Sequence, residues 1–192
     1  MALNLPNLLT WQRIIVLPLM VLVFALPAEG WSEASRNLTA TALFILAAVT
    51  DWLDGWLARR LGQQTQLGAF LDPVADKLLV CVTLVMLLDM HRIHAGIAII
   101  IIGREITISA LREWMASIGA RASVAVNSMG KIKTATQMTA IPLLLYNGPL
   151  FDGKVDAHQL GTWLIFIAAV LTFVSMMYYL KQAWPQLVSK RA

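Results

Sequence analysis

Four aspartates stand inside hydrophobic stretches of this chain: Asp51, Asp54, Asp72 and Asp76. A charge at membrane depth costs at least about 2.5–3.5 kcal/mol at a helix centre. Such groups must be paired, wetted or bound to metal. Asp51 and Asp54 are three apart, so they share one helix face; Asp72 and Asp76 are four apart and share a face of the next helix. A short turn around Gly62–Gln66 makes these helices antiparallel neighbours, which lets the four carboxylates converge. Together they repel, and nearby Arg59 and Lys77 supply part of the compensating charge. Hard divalent cations such as Mg²⁺ prefer carboxylate oxygen. No His or Cys stands with these residues, which argues against zinc or copper. Two divalent ions about 3.5–4 Å apart suit phosphoryl transfer, because they stabilise both the attacking and the leaving oxygen. The structural alternative is a buried ion-pair network with Arg59 and Lys77.

The elements that hold these residues read as membrane helices. Of 192 residues, 58% are hydrophobic and 14% charged, with a mean hydropathy of +0.69. A soluble domain is nearer about 45–50% apolar and 25% charged. Disorder is excluded by this apolar content. A disulfide scaffold is excluded because Cys81 is the only cysteine. Six segments are long and apolar enough to span a bilayer, at roughly 8–27, 37–61, 67–89, 94–117, 129–147 and 159–181. Turn and breaker residues separate them, as in Pro27-Ala28-Glu29-Gly30 and Asn147-Gly148-Pro149. The expected fold is therefore all-α, a single polytopic domain over 1–192 with six transmembrane helices.

Threaded up and down, the six segments bring every internal charge cluster to one leaflet. The opposite side carries three of the 15 Lys and Arg residues (Arg36, Arg92 and Lys154), leaving twelve on the charged side. The positive-inside rule places that side, and both termini, in the cytoplasm. A signal peptide over the first segment fits poorly, since Leu26 sits where a small residue belongs. The net charge of +4 then reflects basic cytoplasmic ends and calls for no nucleic acid. The tail Lys181–Ala192 suits anionic membrane lipid. His91, His94 and His158 fall on the opposite side, far from the carboxylates.

Residues 51–76 read Asp51-x2-Asp54-Gly55-x2-Ala58-Arg59-x8-Gly68-x3-Asp72-x3-Asp76. This run resembles the signature of the CDP-alcohol phosphotransferase family at every fixed position. The resemblance implies that Asp51, Asp54 and Asp72 ligate two divalent cations, Mg²⁺ or Mn²⁺. It implies that Asp76 also sits at the metal site and acts as base on the acceptor hydroxyl. Gly55 and Ala58 would let the CDP group lie against the second helix, and Arg59 would contact its diphosphate. By themselves, Gly55 and Gly68 suit either close approach of a ligand or tight helix packing. The family also implies a homodimer in the bacterial cytoplasmic (inner) membrane, with its site facing the cytoplasm and CDP-diacylglycerol as donor.

The acceptor must be read outside the signature. Pro6-Asn7-x-Leu9-Thr10-x2-Arg13 resembles the opening of the subgroup that makes phosphatidylglycerophosphate, where the Asn and Thr lie near metal and donor phosphates. Helix capping by Asn7 or Thr10 and snorkelling by Arg13 are the alternatives. Arg104 and Arg112 are eight apart, so they project on nearly one face of the fourth segment. Lys131, Lys133 and Thr134 open the fifth. Cations beside a metal site suit an acceptor bound through its phosphate; snorkelling to headgroups is the alternative. The Gly103-Arg104-Glu105 and Gly130-Lys131-Ile132-Lys133-Thr134 stretches again resemble that subgroup, which implies sn-glycerol 3-phosphate as acceptor. Serine, inositol or phosphatidylglycerol remain open within the family. A divalent-cation path in a transporter, or an inactive scaffold, remains open outside it.

Overall fold

Side-chain caps fix where the helices begin. Ser32 Oγ accepts from the Ser35 N–H at 3.1 Å, Thr65 Oγ1 from Gly68 at 3.0 Å, His94 Nδ1 from Gly96 at 3.2 Å and Asp156 Oδ1 from His158 at 2.8 Å. Each satisfies a donor that the first helical turn leaves unpaired. The computed structural model describes residues 5–27, 30–61, 65–118 and 128–188. Its six helices are α1 (Leu5–Ala25), α2 (Glu33–Leu61), α3 (Gln66–Asp89), α4 (Ala95–Ser117), α5 (Ser128–Tyr146) and α6 (Ala157–Val188).

The six expected segments are all present as helices. α2 starts earlier than expected, at Glu33, because Ser32 provides a cap. α6 continues past Lys181 to Val188. Its 32 residues rise about 48 Å, well beyond the roughly 30 Å of a hydrocarbon core. One small departure from an all-helical chain joins α5 to α6. There β1 (Pro149–Leu150) pairs antiparallel with β2 (Val155–Asp156), Pro149 opposite Asp156 and Leu150 opposite Val155. The turn uses left-handed backbone at Phe151, Asp152 and Gly153 (φ 50°, 56° and 83°).

α2 and α3 are in contact as neighbours. Those two helices touch each other sparingly, whereas α1 packs on both. α5 packs on α6 and α2, and α4 on α6. Met20, Phe44, Leu84, Leu87, Ile101 and Ile141 fill the shared core. α5 and α6 close in at Gly161, where a Cβ would lie 2.8 Å from Leu144 Cγ. The outside is apolar as well, with Trp52 69%, Ile99 69% and Trp163 68% exposed. A surface of this kind is made for lipid or partners rather than water. Among the described residues, Leu8–Ala25, Glu33–Trp56 and Ala157–Trp184 are long and apolar enough to cross a membrane.

Arg92 anchors the end of the bundle away from the aspartates. Its Nη1 donates to the carbonyls of Leu144 at 3.2 Å and Leu145 at 2.7 Å, satisfying orphan acceptors at the end of α5. Its Nη2 donates to Asn37 Oδ1 at 2.7 Å and pairs with Glu33 at 3.4 Å. Burial lowers the Arg92 pKa, and the Glu33 carboxylate opposes that fall. Replacing Arg92 with Leu strips α5 of these donors. We expect thermal unfolding in detergent to shift down by about 4–8 °C, for a loss of about 2 kcal/mol. An unchanged midpoint would show that Arg92 does not hold this end together.

Candidate active site

Arg13 carries no exposed surface, and its guanidinium spans two aspartates of α2. Nη1 pairs with Asp51 and Nη2 with Asp54. One turn earlier on the same face of α1, Thr10 Oγ1 donates to Asp72 Oδ1 at 2.6 Å. α1 thereby stitches α2 to α3 through polar contacts. Asp54 is buried, while the Asp51 side chain is 40% exposed. Asp51 and Asp72 lie within electrostatic reach of Asp54, and Asp51 within reach of Asp76. The four aspartates do converge. Among the described residues, Arg13 is the cation that meets Asp51 and Asp54, and the side chain of Arg59, expected to share this charge with Lys77, lies outside them. Arg13 stands far off in sequence, and only the wedging of α1 between α2 and α3 brings it here.

The donor set fits a hard divalent cation. Every oxygen it offers is a carboxylate, and Asp51 is open to the surface. Among the described residues no three acidic, His or Cys side chains form a closed cage, since the Arg13 guanidinium lies between Asp51 and Asp54. Gly55 is half-buried beside Asp54, and Gly68 is buried with its N–H used in the cap of α3. The side chains of Asn7, Ala58, Arg59 and Lys131 lie outside the described part of the structure.

Beside this cluster a cavity of about 210 Å³ opens, lined by Asp76, Lys77, Arg104, Arg112, Lys133 and Thr134. The separate stretches on α4 and α5 therefore do meet. Lys133 is 4% exposed and does not snorkel. Glu105 accepts from Lys133 Nζ at 2.5 Å and from Arg104 Nη1 at 3.1 Å, so one carboxylate holds two cations in place. The Arg112 guanidinium lies over the Tyr179 ring, 5.8 Å from its centroid. Asp76 belongs to both halves. Arg13 and Asp51 act on it from one side, Glu105 and Lys133 from the other.

Three lining residues were not expected in a site role. Gln137 lies one turn beyond Lys133 on α5, so the i, i+4 spacing was a readable signal. Its side chain is buried and Oε1 has no hydrogen-bond partner among the described residues. Glu105 stands in the Gly103-Arg104-Glu105 stretch but carries no site role in the sequence reading. Tyr179 comes from α6, and nothing local in the sequence marks it.

A family model for CDP-alcohol phosphatidyltransferases matches residues 3–174. The chain belongs to the CDP-alcohol phosphatidyltransferase family. Proteins of Escherichia coli (strain K12), Shigella flexneri serotype 5b and Shigella boydii serotype 4 are each 47% identical to it over 192 residues. The alignments cover 99% of this chain and 100% of each relative. All three are named CDP-diacylglycerol–glycerol-3-phosphate 3-phosphatidyltransferase. Enzymes of this family use divalent cations.

Arg13 and a bound cation would serve one need, the neutralisation of Asp51 and Asp54. Arg13→Gln should therefore lower the unfolding midpoint in chelator, and Mg²⁺ should raise the variant's midpoint by more than it raises the wild type's. For one lost buried pair the drop should be about 6 °C or more. A variant whose midpoint ignores Mg²⁺ would separate the aspartates from any metal role.

Proposed function

We propose that this chain transfers the phosphatidyl group of CDP-diacylglycerol to sn-glycerol 3-phosphate, giving phosphatidylglycerophosphate and CMP. The observation that carries this reading is the meeting of an all-carboxylate cluster and a cationic cavity at one residue, Asp76. A two-substrate transfer between charged phosphates needs such a junction. The names of the full-length relatives support the same donor and acceptor.

On the donor side, Thr10 and Arg13 brace the aspartates, with Asn7, Gly55, Ala58, Arg59 and Gly68 completing the surface for the CDP group. Two divalent cations, Mg²⁺ or Mn²⁺, bound by Asp51, Asp54, Asp72 and Asp76, would offset the diphosphate charge and stabilise the departing CMP. On the acceptor side, Arg104, Arg112, Lys131, Lys133 and Thr134 hold the phosphate of glycerol 3-phosphate. Glu105 positions Arg104 and Lys133. Gln137 Oε1 accepts a hydrogen bond from the hydroxyl of the acceptor that does not react. Asp76 takes the proton of the reacting hydroxyl. That oxygen attacks the phosphorus bearing diacylglycerol, and the bond from this phosphorus to the oxygen of CMP breaks.

The acceptor cavity also weighs against the other readings. Its cations outnumber its carboxylates, as a phosphate site requires and a divalent-cation path does not. Serine, inositol and phosphatidylglycerol would leave more of these cations without a counter-charge. We further propose that 1–192 is one domain whose six helices all span the bacterial inner membrane, with both termini and the site on the cytoplasmic side. The apolar outer face and the gathering of charge at one end support that placement. It keeps the donor's acyl chains in the bilayer while its head group meets the site. The basic tail would rest on anionic lipid, and pairing into a homodimer is carried over from the family resemblance alone.

Steady-state kinetics of CMP release test the division of labour. Arg112→Ala should raise KM for glycerol 3-phosphate by about ten- to hundred-fold, as expected for a lost charged hydrogen bond. KM for CDP-diacylglycerol should stay the same. Asp76→Asn should instead lower kcat by about 10²–10⁴-fold with both KM values retained. An Arg112 variant with unchanged acceptor KM, or a fully active Asp76 variant, would overturn the assignment.

A further inference from the structure

The end of the bundle opposite the aspartates holds two adjoining cavities of contrasting character. The first, about 600 Å³, is polar, and Arg36, His91, Arg92 and His158 are among its lining residues. The second, about 500 Å³, is an apolar groove along α1 and α2, lined by Leu19, Leu22, Val23, Leu26 and Leu43. Trp31 and Arg36 line both, so the polar and apolar spaces meet at these two side chains.

The cations in the polar space differ in what they have left to give. Arg92 is committed to two carbonyls, Asn37 and Glu33. Among the described residues, Arg36 makes one hydrogen bond, from Nη2 to the Leu26 carbonyl at 3.2 Å, and its Nε is buried without a partner. His158 Nδ1 is likewise buried with no partner among the described residues. Glu33, an acidic side chain on the same rim, pairs with Arg92 and is 77% exposed. A buried donor without an acceptor, as Arg36 Nε is, is costly and marks a place where a ligand's acceptor atom belongs, and His158 Nδ1 can donate there in the tautomer that carries its proton. Trp31 is half exposed at the junction, where an indole suits the bilayer interface.

We propose that this composite site holds one anionic phospholipid of the leaflet opposite the active site. Its phosphate accepts from Arg36 and His158, and an acyl chain lies in the groove between α1 and α2. A zwitterionic lipid fits less well, because its own cation would stand among Arg36, Arg92 and the histidines. The proposal depends on the helices lying in a bilayer and is independent of the chemistry at the aspartates.

Native mass spectrometry of the full chain in detergent tests it, with titrations of dioleoyl-phosphatidylglycerol, dioleoyl-phosphatidylcholine and inorganic phosphate. The wild type should retain one phosphatidylglycerol in about five-fold or greater preference to phosphatidylcholine. Arg36→Ala, which removes the head-group donor, and Leu22→Trp, which fills the groove, should each lose that molecule. Both should keep the wild-type KM for CDP-diacylglycerol and for glycerol 3-phosphate, which separates this site from the transferase site. If Arg36→Ala unfolds, Leu22→Trp decides. Equal retention of the two lipids, or wild-type retention by the folded variants, would overturn the proposal. So would inorganic phosphate bound as well as the lipid and unaffected by Leu22→Trp, since that marks a free-anion site.

Discussion

Four carboxylates gathered inside an apolar bundle have to be neutralised, and much of this structure follows from how that is done. At an effective dielectric of about 20, two like charges about 4 Å apart repel by roughly 4 kcal/mol. Four such groups would force the helices apart. Arg13 meets this by reaching Asp51 and Asp54 together, while Thr10 holds Asp72. Both come from α1, so α1 must lie between α2 and α3. The helix order near the site is therefore a consequence of charge, and the apolar core of Met20, Phe44 and Leu84 is arranged behind it.

The same logic extends to the neighbouring cavity, where cations are in excess. Glu105 keeps Arg104 and Lys133 from repelling each other, and the Tyr179 ring supports Arg112. The carboxylate cluster and this cationic cavity then meet at Asp76. At the other end of the bundle Arg92 serves structure alone, tying α2 and α5 to the α3–α4 connection. At this end Arg92 caps α5 and, among the described residues, meets a single carboxylate, Glu33, whereas at the aspartate end several carboxylates gather around Arg13.

Much of this was legible in the sequence because it is local or periodic. The six helices follow from apolar segments long enough to span, and the shared faces of Asp51 with Asp54 and of Asp72 with Asp76 follow from spacing alone. The family signature over 51–76 rests on the same residues, and the match over 3–174 bears it out. The position of Arg104, Arg112, Lys133 and Thr134 around one cavity was also anticipated. What escaped depends on contacts between distant parts of the chain. Arg13 stands 41 residues from Asp54, and its pairing there follows from the packing of α1. Tyr179 reaches the cavity from α6, and the hairpin at 149–156 depends on left-handed residues that are not glycine. Gln137 is readable by its spacing from Lys133, though a glutamine carries no charge to mark it.

The central claim is a transfer between a nucleotide lipid and a phosphorylated acceptor. Its most direct test is CMP release by the purified protein in detergent, with CDP-diacylglycerol and Mg²⁺. Glycerol 3-phosphate, serine, inositol and phosphatidylglycerol would be supplied in parallel. Release with glycerol 3-phosphate alone is the predicted result. Release with an uncharged or zwitterionic alcohol instead would keep the carboxylate site and contradict the phosphate-binding cavity, and no release with any acceptor would contradict the transferase reading itself.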